Sequence, residues 1–187
     1  GTRQECDHLG GGVLHVEHEP VDLNDIIVQF LNSPECRKIK SFHEKMTIKT
    51  DLADALKPIS GSSVHLSKTV MNLVSNAAEA MPEGGRVTIR TDNVDAGEAC
   101  IDDPEAEDHC QYVLLEIADT GSGISQADME KIFEPFYTKK VMGRSGTGLG
   151  LAVVWGTIMD HHGHIRVESD GKSGSRFKLY FPACDDA

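Results

Sequence analysis

The sequence predicts an α+β two-layer sandwich, a mixed sheet of about five strands with three main helices on one face. Three observations predict it. Helical apolar stripes recur near residues 23–31, 66–81 and after 149; about five segments alternate or run apolar as strands do; and hairpin turns replace regular β-α-β alternation. At 187 residues the chain can bury one sizeable core and is too short for two full-sized domains. It contains no internal repeat.

Residues 1–20 carry Gly10-Gly11-Gly12 among mixed polar residues and read as a linker or tail, leaving 21–187 as the domain. Asp22 is placed to cap a helix whose Leu23, Ile26, Ile27, Phe30 and Leu31 share a stripe, and Asn32-Ser33-Pro34 ends it. Lys45 to Leu52 alternates as a strand, and Lys57-Pro58-Ile59-Ser60-Gly61 reads as a loop. The helix expected over Leu66 to Met81 buries Leu66, Val70, Leu73, Val74, Ala77 and Met81. Its Asn72, Asn76 and Glu79 fall together on roughly the other side. A solvated face is the ordinary explanation of such a set. Yet Asn is a poor helix former, and two amides one turn apart suit metal or hydrogen-bonding duty.

Pro82-Glu83-Gly84-Gly85 turns into a strand at Arg86 to Thr91. The acidic segment from Val94 to His109 reads as an exposed hairpin loop whose carboxylates are a solvated charge run rather than a cation site. Val113 to Ala118 is a buried strand that delivers Asp119 to a cleft, followed by Thr120-Gly121-Ser122-Gly123-Ile124, whose glycines allow backbone to lie against a flat ligand. Ser125 and Asp128 form a capping-box pattern opening a short helix through Ile132-Phe133. A second cluster, Gly146-Thr147-Gly148-Leu149-Gly150-Leu151, runs into a helix that Gly163 is placed to end. Its free N–H groups suit a phosphate chain. Between the clusters lie Phe133-Glu134-Pro135-Phe136-Tyr137 and a basic patch of Lys139, Lys140 and Arg144, read as a mobile lid closing on an anion. Asp160-His161-His162 with His164 matches no zinc spacing. Strands at Ile165 to Glu168 and Arg176 to Phe181 flank a Gly171 to Gly174 turn.

A net charge of −12 argues against nucleic acid or an anionic membrane surface as partner, whereas one nucleotide needs only a few local donors and a metal. The five cysteines, Cys6, Cys36, Cys100, Cys110 and Cys184, are scattered without a CxxC pair and fit reduced thiols of a cytoplasmic protein. No run reaches membrane-span length and no signal peptide opens the chain. It begins with Gly rather than Met, as expected of a piece cut from a longer protein, with a membrane-bound parent left open.

With Asn76, the Asp119 to Ile124 run, the Phe133 to Phe136 run and the Gly146 to Leu151 run in this order, the sequence resembles the catalytic ATP-binding domain of sensor histidine kinases. That domain shares a Bergerat-type ATP-binding fold with gyrase, MutL and the ninety-kilodalton chaperone. The likeness covers roughly Val21 to Pro182: Met71 to Ala77 looks like the N box, Asp119 to Gly123 the G1 box, Phe133 to Tyr137 the F box and Gly146 to Gly150 the G2 box.

The resemblance implies ATP and Mg²⁺ as ligands. Asp119 would accept from the adenine 6-amino group, with Ser175 nearby where many relatives carry threonine. Asn76 would ligate Mg²⁺, supported by Asn72. Lys140 and Arg144 would reach the phosphates, and Asn72, Asn76 and Lys140 form the implied catalytic set. Glu79, Gly121, Gly123, Ile124, Phe136, Tyr137, Thr138, Lys139, Gly146, Thr147, Gly148, Leu149 and Gly150 complete the implied nucleotide contacts. The acceptor would be a histidine on a separate dimerisation domain, with a response-regulator receiver domain downstream and no direct membrane contact; the isolated domain is expected to be monomeric. Glu79 stands where the family often has a basic residue, although Glu79-Ala80-Met81-Pro82 looks like the nitrogen-regulation type. His8, His15, His18 and His43 lack a phosphoacceptor context, so this piece is expected to bind ATP without carrying its own substrate histidine.

Asp119-Thr120-Gly121-Ser122 also matches the aspartic-protease signature, but that chemistry needs a second carboxylate and the chain has one Asp-Thr-Gly. A non-catalytic nucleotide-sensing module of the same fold is the other alternative, against which the intact polar set argues.

Overall fold

A computed structural model describes residues 18–97, 111–135, 137 and 149–184. A five-stranded mixed sheet, covered on one face by helices, carries the site. In chain order the elements are β1 (Glu19–Val21), α1 (Leu23–Leu31), α2 (Pro34–Phe42), β2 (Met46–Asp51), β3 (Ile59–Gly61), α3 (Ser63–Glu79), β4 (Gly85–Asp95), β5 (Gln111–Asp119), α4 (Gln126–Met129), α5 (Gly150–Asp160), β6 (His164–Ser169) and β7 (Ser175–Pro182). The sheet order is β2-β4-β5-β7-β6, with only the β2–β4 pair parallel.

Alternation decides the sheet's two faces. Val87 and Ile89 of β4, Val113, Leu115 and Ile117 of β5, and Phe177, Leu179 and Phe181 of β7 are buried in one core with the stripes of α1, α3 and α5. The opposite face carries charged pairs such as Arg176 with Glu116 (3.7 Å) and Lys178 with Glu168 (2.7 Å). Every member of the expected α3 stripe is buried, Met81 just beyond the helix end. The helix itself begins at Ser63 because the Ser62 hydroxyl accepts from the His65 N–H at 3.4 Å.

Four local expectations are corrected. Ser33-Pro34 ends α1 and also opens α2: Ser33 Oγ accepts from Cys36 N (3.1 Å) and Pro34 occupies the first turn, where its missing N–H costs nothing. Cys36 is the only buried residue of α2, so the helix leaves no stripe in the sequence. Ile59–Gly61, read as loop, is a strand pairing antiparallel with Glu19–Val21, so Glu19 and Pro20 of the expected tail belong to a small second sheet. α4 stops at Met129, short of Ile132-Phe133, which follow in turns. At the end of α5 the left-handed residue is His162 (φ 53°), not Gly163. Gly163 N donates to Ile158 O (2.9 Å) and His162 N to Met159 O (3.1 Å), a Schellman closure. Gly163 is required for another reason, since a Cβ there would lie 2.7 Å from Tyr180 O.

Candidate nucleotide-binding site

Asp119 ends β5, the middle strand of the sheet, on the face that packs against the helices. It is 9% exposed, and both carboxylate oxygens are fixed: Oδ2 accepts from Ser175 Oγ (2.6 Å) and Oδ1 from Gly121 N (2.8 Å). An ionised carboxylate has about four lone-pair sites, so two bonds fix its direction and leave room for an incoming donor. Gly174 makes the contact with β7 possible: its φ is +104°, and a Cβ there would lie 2.0 Å from Asp119 O.

The loop after Asp119 is laid on the end of α3. Ser122 N donates to Ala80 O (3.2 Å), and a Cβ on Gly121 would approach that oxygen to 2.6 Å. Thr120 Oγ1 accepts from Arg86 N at 3.0 Å, tying the same loop to β4. The carboxylate is thereby brought to the helix end that bears Asn76 and Glu79.

Asn72, Asn76 and Glu79 are each half-buried, so the solvated-face explanation fails for them. Asn72 Nδ2 donates to Gly150 O at 3.4 Å, where α3 meets the start of α5. α5 opens at Leu149 without a side-chain cap, so its first-turn N–H groups lie beside Asn72. The Asn76 Nδ2 atom is buried and has no hydrogen-bond partner among the described residues. An unpaired buried amide costs about 1–3 kcal/mol, so this side chain is suited to a polar ligand. A hard cation bound to phosphates fits the donor set, because an amide offers oxygen to the metal and N–H to a phosphate oxygen.

Tyr137, expected among the nucleotide contacts, lies against α4. Its hydroxyl donates to buried Asp128, whose other oxygen accepts from Ser125 Oγ, so it pins the aromatic segment to α4. That bond to the carboxylate pushes the phenol up from its ordinary value. Phe133 packs on Trp155 of α5 with ring centroids 5.2 Å apart. Phe136, Thr138, Lys139, Lys140, Arg144, Gly146, Thr147 and Gly148 lie outside the described residues. Gly123 and Ile124 dock on the β6–β7 turn: Ile124 N donates to Ser169 Oγ (2.8 Å), and a Cβ on Gly123 (φ +74°) would meet Lys172 N at 2.8 Å.

That turn is held by Asp170, which accepts from Ser173 Oγ and from the N–H groups of Lys172 and Ser173 (2.8 Å each). These bonds, the Ser173 hydroxyl foremost, bring its carboxyl down to about 2. A concavity of about 510 Å³ touches Asp119, Ser169 and Ser175 but is also lined by Ala118, Glu168 and Arg176, which pair across the charged face of the sheet. It therefore opens away from the asparagine helix.

The histidine group near α5 serves the fold. His161 Nδ1 donates to Thr157 O (2.6 Å) and Nε2 accepts from Ser62 N (3.0 Å), the ring stacking on His18. No cluster of His, Cys, Asp or Glu among the described residues could hold a metal. Sequence reasoning missed Ser169; the segment from Ser169 to Gly174 offered only the signal of a turn.

Residues 61–185 match the family model described as histidine kinase-, DNA gyrase B- and HSP90-like ATPase. The chain is 37% identical over 168 residues to Sensor kinase CckA of Brucella abortus, covering 88% of this chain and 17% of that protein. It is 32% identical to Sensor histidine kinase ZraS of Salmonella typhi, covering 90% of this chain and 32% of the relative. It thus spans between a sixth and a third of the length of these two relatives. Among solved structures, the mycobacterial sensor histidine kinase MprB superposes with a TM-score of 0.67 at 26% identity, covering 90% of this chain and 99% of the other. The catalytic domain of histidine kinase ThkA gives 0.68 at 26% identity, covering 89% and 98%. The chain belongs to the histidine kinase-, DNA gyrase B- and HSP90-like ATPase family, as a catalytic ATP-binding domain of the sensor-kinase kind.

Proposed function

We propose that residues 18–187 bind Mg-ATP and transfer its γ-phosphoryl group to a histidine on a separate dimerisation domain of the same kinase, the expected linker being shortened to residues 1–17 because His18 stacks on His161 and Glu19–Val21 pair with β3. The observation that carries this reading is the buried Asp119 carboxylate, fixed by Ser175 and Gly121 in a loop seated on the end of the asparagine helix. Asp119 accepts from the adenine 6-amino group and disfavours guanine, which presents an oxygen there. Asn76 holds the metal, Asn72 supports the phosphates, and Lys139, Lys140 and Arg144 supply positive charge. When bound, Mg²⁺ offsets phosphate charge. In the transfer the bond from γ-phosphorus to the bridging oxygen breaks, a P–N bond to the imidazole forms, the imidazole loses a proton and ADP leaves.

The partner surface on this side is α5, where Leu149, Val153, Trp155 and Met159 are 37–43% exposed, an apolar face suited to helices of the dimerisation domain. A response-regulator receiver domain takes the phosphoryl group next, and this domain alone is monomeric. No helix among the described residues is long and apolar enough to cross a membrane. As a domain that consumes ATP, it is read as the cytoplasmic part of a soluble or anchored parent. The test supplies the chain with labelled ATP and a separately made dimerisation domain. Acid-labile label on that domain's histidine is expected; tight Mg-ATP binding with no transfer would overturn the kinase reading.

A further inference from the structure

We propose that Ser169 is a positioning residue for base recognition: its hydroxyl sets the loop that follows Asp119 and so aims the carboxylate. This rests on the adenine role of Asp119 given above. A serine hydroxyl has one proton to donate and two lone pairs to accept with. All three are used. Ser169 Oγ donates to Gly174 O at 2.7 Å, accepts from Ile124 N at 2.8 Å and accepts from Gly171 N at 3.3 Å. Each partner is a backbone group, and they come from two segments that no regular strand pairing joins: the loop after β5 and the turn between β6 and β7.

The position of Ser169 in the sheet gives these bonds their consequence. It is the last residue of β6 and lies directly opposite Ser175, the first residue of β7. The two hydroxyls therefore form a pair across one rung: Ser175 holds Asp119 at the start of the loop and Ser169 holds Ile124 five residues later. Between these points the chain runs backbone against backbone. A Cβ on Gly123 would meet Gly171 C and Ser169 Oγ at 2.9 Å each, and one on Gly174 would overlap Asp119 O. Side chains cannot adjust the spacing of two segments packed this closely, so the hydroxyl at their junction sets it. Removing it takes this partner from the Ile124 N–H, the Gly171 N–H and the Gly174 carbonyl together.

The experiment measures Kd for Mg-ATP and Mg-GTP by calorimetry in the wild-type chain, Ser169→Ala, Ser169→Thr and Asp119→Asn, with Ile124 amide exchange in parallel. In Ser169→Ala the ATP:GTP preference is expected to fall by about tenfold, as losing well-aligned bonds predicts. The Ile124 amide should lose protection, and Ser169→Thr, which keeps the hydroxyl, should restore both. Should Ser169→Ala not fold, Ser169→Cys carries the same test with a weaker donor of similar shape. A preference within twofold of wild type in the folded variant, or equal losses for ATP and GTP, overturns the proposal and leaves Ser169 a purely structural residue. If Asp119→Asn itself leaves ATP affinity unchanged, the underlying adenine assignment fails instead; its loss there with no change in Ser169→Ala sinks only the present inference.

Discussion

Ser175 Oγ donates to Asp119 Oδ2 at 2.6 Å between residues 56 positions apart, joining the ends of two neighbouring antiparallel strands on the helix-covered face. Asp119→Asn keeps the shape and removes the charge, and is expected to weaken ATP binding by about tenfold to a hundredfold, the range of a charge-assisted bond. Ser175→Ala leaves the charge and frees its direction, so a loss of about fivefold is expected. Calorimetry on both variants checks the order; a larger loss in Ser175→Ala than in Asp119→Asn would contradict it.

Asn76→Ala is expected to weaken Mg-ATP binding by at least about tenfold while changing metal-free ATP binding little. Titration with and without magnesium decides it. Equal losses under the two conditions would remove Asn76 from the metal.

His161 is held neutral by its surroundings. Burial lowers its pKa below the ordinary imidazole value of 6.5; the bond to Thr157 O and the charge of Asp160 oppose this, while His18 and His65 add to it. Protonating Nε2 would also set an N–H against the Ser62 N–H. Because the unfolded chain takes up this proton first, the contribution to stability is complete above about pH 6.5 and is lost as pH falls from there toward the lower folded value. Thermal melts from pH 8 to 5.5 should show a steeper loss in wild type than in His161→Gln. Parallel slopes would show that another group is responsible.

His162 occupies a left-handed conformation at an exposed helix end. Glycine adopts it without the steric penalty of a Cβ, so His162→Gly is expected to stabilise the domain by about 0.5–1 kcal/mol. That corresponds to a melting shift of about 1–4 °C for a domain of this size. A lower melting temperature would mean that the imidazole makes a compensating contact.

The periodicity of residues reports burial, and the fold was legible where burial is periodic: the stripes of α1 and α3, and β5 as far as its last residue, Asp119. α2 was hidden because only Cys36 is buried and only Ile39 is packed partly buried against the core beside it, and β1 and β3 because three residues each are too few to show alternation. Asn72 and Asn76 stood out by being uneconomical on an exposed surface. Ser169 did not, since serine beside Asp-Gly-Lys-Ser-Gly is what any turn contains and its three partners are backbone groups that no side-chain pattern encodes. The histidines offered no positive signal, only a spacing that matches no standard zinc pattern. The hydrogen bond from Ser62 N to His161 spans 99 positions and could not be seen locally.

β6 is an outermost strand, hydrogen-bonded along one side only, whereas β5 is enclosed by neighbours on both sides. Outer strands open at lower free energy than central ones. Discrimination between purines should then fade in denaturant too dilute to melt the sheet, with nucleotides still captured through their phosphates: the chain would become an indiscriminate binder before it became an unfolded one.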